Sequence, residues 1–106
     1  MKNKKILITG AAGFIGFHLS EFLINNKFQV IGIDNFDNYY DIKIKKKRIS
    51  LLKKYKNFKF FKIDIENNNK ILDLFRKNNI EYVVHLAAQA GVRYSFINPK
   101  KYIDTN

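Results

Sequence analysis

Apolar runs alternate with amphipathic segments along almost the whole chain. Four short runs rich in β-branched and aromatic residues predict buried strands at residues 4–9, 28–34, 58–64 and 82–88. Between them, apolar residues at roughly helical spacing predict helices at residues 14–26, 42–56 and 67–78. This βαβαβαβ pattern predicts an α/β fold, a doubly wound parallel sheet with helical crossovers.

The C-terminal part of the pattern predicts that this chain contains only part of a doubly wound fold. Pro99 suits the first turn of a further helix. In a doubly wound sheet the expected strand order is 3-2-1-4, with more strands beyond the fourth. We therefore expect the outer edge of strand 82–88 to be unpaired and apolar, which favours dimerisation or aggregation. On this reasoning the isolated chain is poorly stable, binds a ligand weakly and does not work as an enzyme.

Length and composition exclude several classes of protein. The chain has 106 residues, 46% of them hydrophobic, which fits one small globular domain at most and argues against disorder. The absence of Cys excludes a disulfide scaffold and a thiolate metal cluster. His18 and His85 are the two histidines, and neither belongs to an HExxH motif, so we expect no metal site. We expect His85 to be a core residue at a strand end.

The net charge of +11 raises the alternative of a nucleic-acid-binding module. Ten cations and no acid lie in residues 43–62. However, only three of the 20 cations are Arg, the residue best suited to phosphates and guanine edges, and the whole chain is rich in Lys and Asn. We therefore interpret residues 43–62 as the solvated face of one helix and the outer face of the next strand, and expect no nucleic-acid partner.

The N-terminal residues loosely resemble a signal peptide. Three Lys occur in residues 1–5, and residues 6–20, which include His18, carry no formal charge. Three glycines and that histidine interrupt the apolar run, which is also shorter than the roughly 20 residues of a membrane span. We therefore expect a cytoplasmic protein without a membrane partner.

The most informative motif is TGAAGFIG at residues 9–16, directly after the first predicted strand and opening the first predicted helix. In such a context Gly10 permits a tight exit from the strand, Gly13 lets the backbone approach a pyrophosphate, and Gly16 allows close packing of the helix on the sheet. The amides of Phe14 and Ile15 would then point at phosphate oxygens. The alternative is a glycine turn without a ligand.

A second candidate is Asp34, at the end of the second predicted strand. An acid in this position accepts hydrogen bonds from an adenosine ribose and repels a 2′-phosphate. Residues 35–41 contain no Arg, so the sequence favours NAD over NADP. The alternative is a turn cap, since Asp34 and Asn35 also suit a turn. Asp64 and Ile65 end the third predicted strand and would lie on the adenine side of the cofactor. The alternative for them is likewise a turn cap.

Three segments together resemble one protein family. TGAAGFIG, GIDNFDNYYD at residues 32–41 and HLAAQAGVRYS at residues 85–95 are similar to the extended short-chain dehydrogenases/reductases. Within them the chain resembles the NAD-dependent epimerases and dehydratases, above all those that epimerise UDP-glucuronate at C4. This resemblance implies a Rossmann-like fold of which residues 1–106 form the N-terminal part of the NAD-binding domain. It further implies a UDP-sugar substrate and a homodimer of the longer protein.

The resemblance also assigns roles to individual residues. The implied cofactor contacts are Gly10, Gly13, Phe14, Ile15, Gly16, Asp34, Asn35, Asp64, Ile65, Leu86, Ala87, Ala88 and Asn106. The first five would hold the pyrophosphate, and the Leu-Ala-Ala run would line the central part of the cofactor. Arg93 and Ser95 would lie toward the sugar nucleotide, and Asn106 near the nicotinamide half.

The family's catalytic pair, a Tyr and a Lys four residues later, is expected to be absent from this chain. Tyr39 with Lys43 and Tyr55 with Lys59 have the required spacing. Both pairs precede the fourth predicted strand, whereas the family's pair follows the fifth. We therefore assign no catalytic residue here.

Overall fold

The computed structural model describes residues 4–36, 42–87 and 96–97. The elements, in chain order, are β1 (Lys5–Thr9), α1 (Phe14–Asn25), β2 (Gln29–Asp34), α2 (Ile42–Leu52), β3 (Phe58–Lys62), α3 (Asn68–Lys77), β4 (Ile80–His85) and β5 (Phe96–Ile97). The first seven confirm the predicted succession of strands and helices. None of the helices in this part of the chain is long and apolar enough to span a membrane. The helix predicted at Pro99 lies outside the described residues.

Two elements, α2 and β4, have bounds that differ clearly from the sequence prediction. α2 ends at Leu52 rather than near residue 56, because the amides of Lys54 and Tyr55 bond three residues back, to Leu51 O at 3.4 Å and Leu52 O at 3.0 Å. β4 begins at Ile80, which pairs with Lys5, and ends at His85 rather than at residue 88. The backbone after His85 leaves the ladder because its amides bond to Thr9.

The sheet has the order β3-β2-β1-β4-β5. Its first four strands are parallel in the predicted order, which confirms the doubly wound α/β architecture. The expectation of a wholly unpaired outer edge on β4 is wrong. Val83 and Val84 pair there with β5 in antiparallel register. An edge strand presents unsatisfied N–H and C=O groups, and a short returning segment satisfies part of them.

Both faces of the sheet carry helices. Along β1, Ile6 and Ile8 pack with α1 and α2, whereas Leu7 packs with α3 on the opposite face. All three side chains are buried. The sequence of β1 is a continuous apolar run because helices cover both of its faces. The loop that follows its carboxyl end is therefore held by a rigid core.

An ion pair between two half-buried residues joins the residue before β1 to β4, at the opposite end of the strands. Lys4 Nζ donates to Glu81 Oε2 at 2.9 Å. The hydrogen bond from Lys4 lowers the pKa of Glu81 below its ordinary value of 4.5, and the same bond raises the pKa of Lys4. A carboxyl group with a lowered folded-state pKa stabilises the fold above its unfolded-state pKa, and the contribution is lost as the pH falls through the folded value.

We expect Glu81→Gln to lower the free energy of unfolding slightly at pH 7 and to have little effect at about pH 2, where a protonated Glu81, like Gln, carries no charge to pair with the still positive Lys4. Chemical denaturation at the two pH values measures this difference, with Glu66→Gln as an exposed control. The same difference at both pH values, or one insensitive to salt, would contradict an electrostatic origin.

Candidate functional site

The loop between β1 and α1 is fixed at the carboxyl ends of its neighbouring strands. Gly10 has φ of 74°, in the left-handed region that favours glycine. The amides of Gly10 and Ala11 both donate to Ile33 O, at 2.9 and 3.1 Å. A Cβ on Gly10 would lie 3.1 Å from the backbone of Leu86 and Ala87. Gly10 therefore makes the tight exit from β1 that the motif predicts.

The other two glycines of the motif differ from each other in their surroundings. A Cβ on Gly16 would overlap the carbonyl oxygen of Gly10 and lie 2.9 Å from Ala11 Cα. Gly16 thus lets the start of α1 approach the backbone of Gly10 and Ala11, directly after β1, without a clash. A Cβ on Gly13 would meet only Gly10 O, at 3.4 Å, with open space otherwise. Gly13 therefore presents bare backbone where a ligand can approach.

The N-terminus of α1 is suited to bind an anion. Gly13 is its N-cap, and among the described residues no side chain caps it and no acid lies in its first turn. Phe14 and Ile15 occupy the first two helical positions, whose amides have no carbonyl one turn back in the helix. Their N–H groups and the helix dipole together favour a negatively charged group, such as a pyrophosphate. The Phe14 side chain is largely exposed, and Ile15 is half-buried.

Asp34 lies beside this loop as the last residue of β2, and it is 7% exposed. Its Oδ2 accepts from Ala12 N at 3.0 Å, and its Oδ1 accepts from Phe36 N at 2.8 Å. An ionised carboxylate has about four acceptor positions, so these two bonds leave capacity for ribose hydroxyl groups. Asp34 therefore anchors the glycine loop and also has acceptor positions left for a ligand. A turn-capping role and a ribose-binding role, the two alternatives left open by the sequence, are compatible here.

The polar residues after β2 and β3 meet at the same end of the sheet. Asn35 Nδ2 donates to Asp64 Oδ2 at 3.5 Å, and both residues are exposed. Asp64 also caps its own turn, because its Oδ1 accepts from Glu66 N at 2.9 Å. Ile65 is half-buried and lines a cavity of about 140 Å³ between β1, β4 and α3. The structure thus brings Asn35, Asp64 and Ile65 to one edge, next to Asp34.

A hydrogen-bond network at the ends of β1 and β4 was not predicted. The Thr9 hydroxyl accepts from Leu86 N at 2.9 Å and from Ala87 N at 3.1 Å. Since these bonds use both lone pairs, its proton is donated to His85 Nδ1, at 2.8 Å. His85 ends β4 as predicted, but it is half-buried and is not one of the buried core residues. With Nδ1 accepting this bond, Nε2 carries the ring proton. The network orients the backbone of Leu86 and Ala87 toward the glycine loop.

Two cations of α2 also reach the site, which corrects the interpretation of residues 43–62 as a solvated surface. Lys45 is buried, with its Nζ 3.8 Å from Asp34 Oδ1. Arg48 is half-buried, and its Nη1 donates to Ala12 O at 3.0 Å. The helical spacing gave a signal for Lys45, since it lies on the same face as Ile49. The side chains of Ala88, Arg93, Ser95 and Asn106 lie outside the described residues.

Comparison with known proteins places the chain in a family. The family model for GDP-mannose 4,6-dehydratase matches residues 7–106. UDP-glucuronate 4-epimerase from Thermodesulfobacterium geofontis is 47% identical over 100 residues, covering 94% of this chain and 31% of that enzyme. UDP-glucuronate 4-epimerase 4 from Arabidopsis thaliana is 44% identical over 95% of this chain and 23% of that enzyme.

Solved structures agree with the sequence comparison. UDP-glucuronic acid 4-epimerase from Bacillus cereus, in complex with UDP-glucuronic acid and NAD, superposes with a TM-score of 0.70 at 40% identity. The match covers 96% of this chain and 32% of that structure. The chain thus spans about a third, or less, of the length of these relatives. Its sequence and its fold both show that the chain belongs to the GDP-mannose 4,6-dehydratase family.

Proposed function

We propose that this chain is the NAD-binding portion of a nucleotide-sugar epimerase that acts on UDP-glucuronate. The observation that carries the proposal is the uncapped N-terminus of α1 with the Asp34 carboxylate beside it. A dinucleotide needs this combination, because its pyrophosphate binds to helix amides while its adenosine ribose donates to an acid at the end of β2. Relatives named as UDP-glucuronate 4-epimerases and their NAD complexes support the choice of cofactor and substrate.

The described residues bind and orient rather than react. The amides of Phe14 and Ile15 hold the pyrophosphate. Asp34 and Asn35 form hydrogen bonds with the ribose, and the turn at Asp64 and Ile65 flanks the adenine. When bound, NAD supplies oxidation of the sugar at C4 and its reduction on the other face. We assign no catalytic base to the described residues, and we propose that another part of the longer protein supplies it.

Residues outside the described part of the chain complete the proposal. We propose cofactor contacts at Ala88 and Asn106 and UDP-sugar contacts at Arg93 and Ser95, because the family resemblance implies them. The longer protein is further proposed to be a cytoplasmic homodimer, and sedimentation of that protein together with cell fractionation tests both points.

A chimaera tests the proposed activity directly. Residues 1–106 replace the matching segment of the T. geofontis enzyme, which supplies the remaining two thirds. We expect the chimaera to convert UDP-glucuronate into its C4 epimer, with the native relative as reference and an Asp34→Ala chimaera as the negative control. A folded chimaera that binds NAD but leaves UDP-glucuronate unchanged would contradict the assigned substrate.

Arg93 is expected to recognise the carboxylate of the substrate, because guanidinium groups bind carboxylates through two parallel hydrogen bonds. In the chimaera, Arg93→Leu should raise KM for UDP-glucuronate by about tenfold or more, and affect a neutral UDP-hexose much less. Steady-state kinetics on both substrates measure the difference. Equal losses would instead assign Arg93 to the diphosphate or to a surface ion pair.

A second candidate activity is that of another nucleotide-sugar epimerase or of a 4,6-dehydratase. The family description supports this alternative, since it is named for a dehydratase. A UDP-glucose 4-epimerase from Thermotoga maritima is also similar, at 36% identity and a TM-score of 0.64. Product analysis of the chimaera with UDP-glucose and with GDP-mannose distinguishes these activities from the first proposal.

A further inference from the structure

Two cations on α2 turn away from solvent, whereas their neighbours do not. Lys45 and Arg48 lie three positions apart on one face of the helix. Lys45 is 9% exposed, while Lys46 and Lys47 between them are exposed. A lysine is almost never buried unless it is paired, because its charge loses hydration. The inward orientation of both side chains therefore requires a negative or acceptor group at their ends.

Both side chains end at the ribose side of the proposed dinucleotide site. The Lys45 ammonium lies 3.8 Å from Asp34 Oδ1. The Arg48 guanidinium donates to Ala12 O at 3.0 Å and lies 5.9 Å from the centroid of the Phe14 ring. Ala12 in turn donates its amide to Asp34 Oδ2. One loop residue thus connects the arginine with the acid that we place on the adenosine ribose.

We propose that Lys45 and Arg48 determine how strongly the site discriminates between NAD and NADP. This inference rests on the proposed function. Asp34 alone would repel a 2′-phosphate, but with these two cations the formal charge of the three side chains is +1 instead of −1. Arg48 uses one of its five N–H donors on Ala12, so further donors remain for phosphate oxygens, which guanidinium groups bind well. The two cations weaken the preference for NAD that Asp34 imposes.

A purely structural role of the two cations makes a different prediction. If they only brace Asp34 and the glycine loop, their removal weakens NAD and NADP alike, because both cofactors use the same loop and the same ribose position. If they oppose the repulsion of a 2′-phosphate, their removal weakens NADP much more than NAD. The ratio of the two dissociation constants, measured on folded protein, therefore separates the two roles.

The experiment compares Lys45→Met and Arg48→Met with Lys47→Met, which removes the same charge from the exposed side of the same helix. NAD and NADP are titrated calorimetrically into each variant of the 106-residue chain and of the chimaera. We expect the inward variants to raise the NADP-to-NAD ratio of Kd by about tenfold, the value of one lost charge-assisted hydrogen bond. Lys47→Met should leave the ratio within about twofold, since an exposed charge is screened.

Two further results complete the test. Arg48→Lys keeps the charge and should hold the ratio closer to that of the unmodified protein than Arg48→Met does. Added salt should weaken NADP binding more than NAD binding. Equal losses for both cofactors, an unchanged ratio, or no measurable NADP binding by the unmodified protein would overturn the inference. Failure of the folded, unmodified chimaera to bind NAD would overturn the proposed function itself.

Discussion

Replacing Gly16 by Ala is expected to abolish dinucleotide binding and to destabilise the fold. The added Cβ would overlap the carbonyl oxygen of Gly10 and crowd Ala11 Cα at 2.9 Å. Both obstacles are backbone, so α1 or the loop must shift, and overpacking of this kind costs roughly 1–3 kcal/mol or more. The shift would also displace the helix amides from the anion. Thermal unfolding and NAD titration of the Gly16→Ala variant measure both effects.

Gly13→Ala provides the matched control for this prediction. Its Cβ would meet only Gly10 O, at the ordinary contact distance of 3.4 Å, and otherwise faces open space. We expect this variant to unfold at nearly the same temperature as the unmodified protein, but to bind NAD more weakly because the new methyl group faces the approaching pyrophosphate. A Gly16→Ala variant that folds and binds normally would contradict the observed packing of α1 on the loop.

Replacing Asp34 by Ala is expected to have the second-largest effect, because one carboxylate has two roles. The substitution leaves the amides of Ala12 and Phe36 without this acceptor and removes a negative charge 3.8 Å from the buried Lys45 ammonium. Such losses destabilise a fold by roughly 2–5 kcal/mol. Loss of the hydrogen bond to the ribose should weaken NAD binding by a further ~1–3 kcal/mol.

Asp73→Ala, on the exposed face of α3, is the control for removing one acid. Chemical denaturation gives the change in stability, and titration of the fraction that stays folded gives the change in affinity. Unchanged NAD affinity in folded Asp34→Ala would limit this residue to its structural role. In that case the ribose-binding site would have to be placed elsewhere.

The order of the elements and the location of the site could be predicted from the sequence because local patterns specify both. The continuous apolar run of β1 predicts a strand covered on both faces, and the glycines at residues 10, 13 and 16 predict the loop that follows. Asp34 could be predicted for the same reason, since its distance from the glycine motif is characteristic of the fold.

The inward cations on α2 could not be predicted as readily. A lysine-rich helix is normally solvated, and its hydrophobic pattern gives the buried face only approximately. Lys45 does continue the stripe of Ile49 and Leu52, but burial of a lysine depends on its partner, Asp34, which lies on another element. Residue types alone do not reveal that the two meet. Arg48 depends in the same way on the carbonyl of Ala12.

Long-range pairing accounts for the other differences. β5 has only two residues, too few to show a periodic pattern, and its antiparallel pairing with Val83 and Val84 depends on the return of the chain. The bond between Thr9 and His85 joins residues 76 positions apart. Local sequence patterns do not predict such contacts, because they form only when the parallel strands bring their carboxyl ends together.

Parallel titration of the 106-residue chain with NAD and with a polynucleotide tests the central claim most directly. The dinucleotide-binding account predicts saturable binding of one NAD per chain, lost in Gly16→Ala, with little affinity for the polynucleotide despite the net charge of +11. Salt-sensitive binding of the polynucleotide without any binding of NAD would contradict it, and would assign the basic surface to nucleic acid instead.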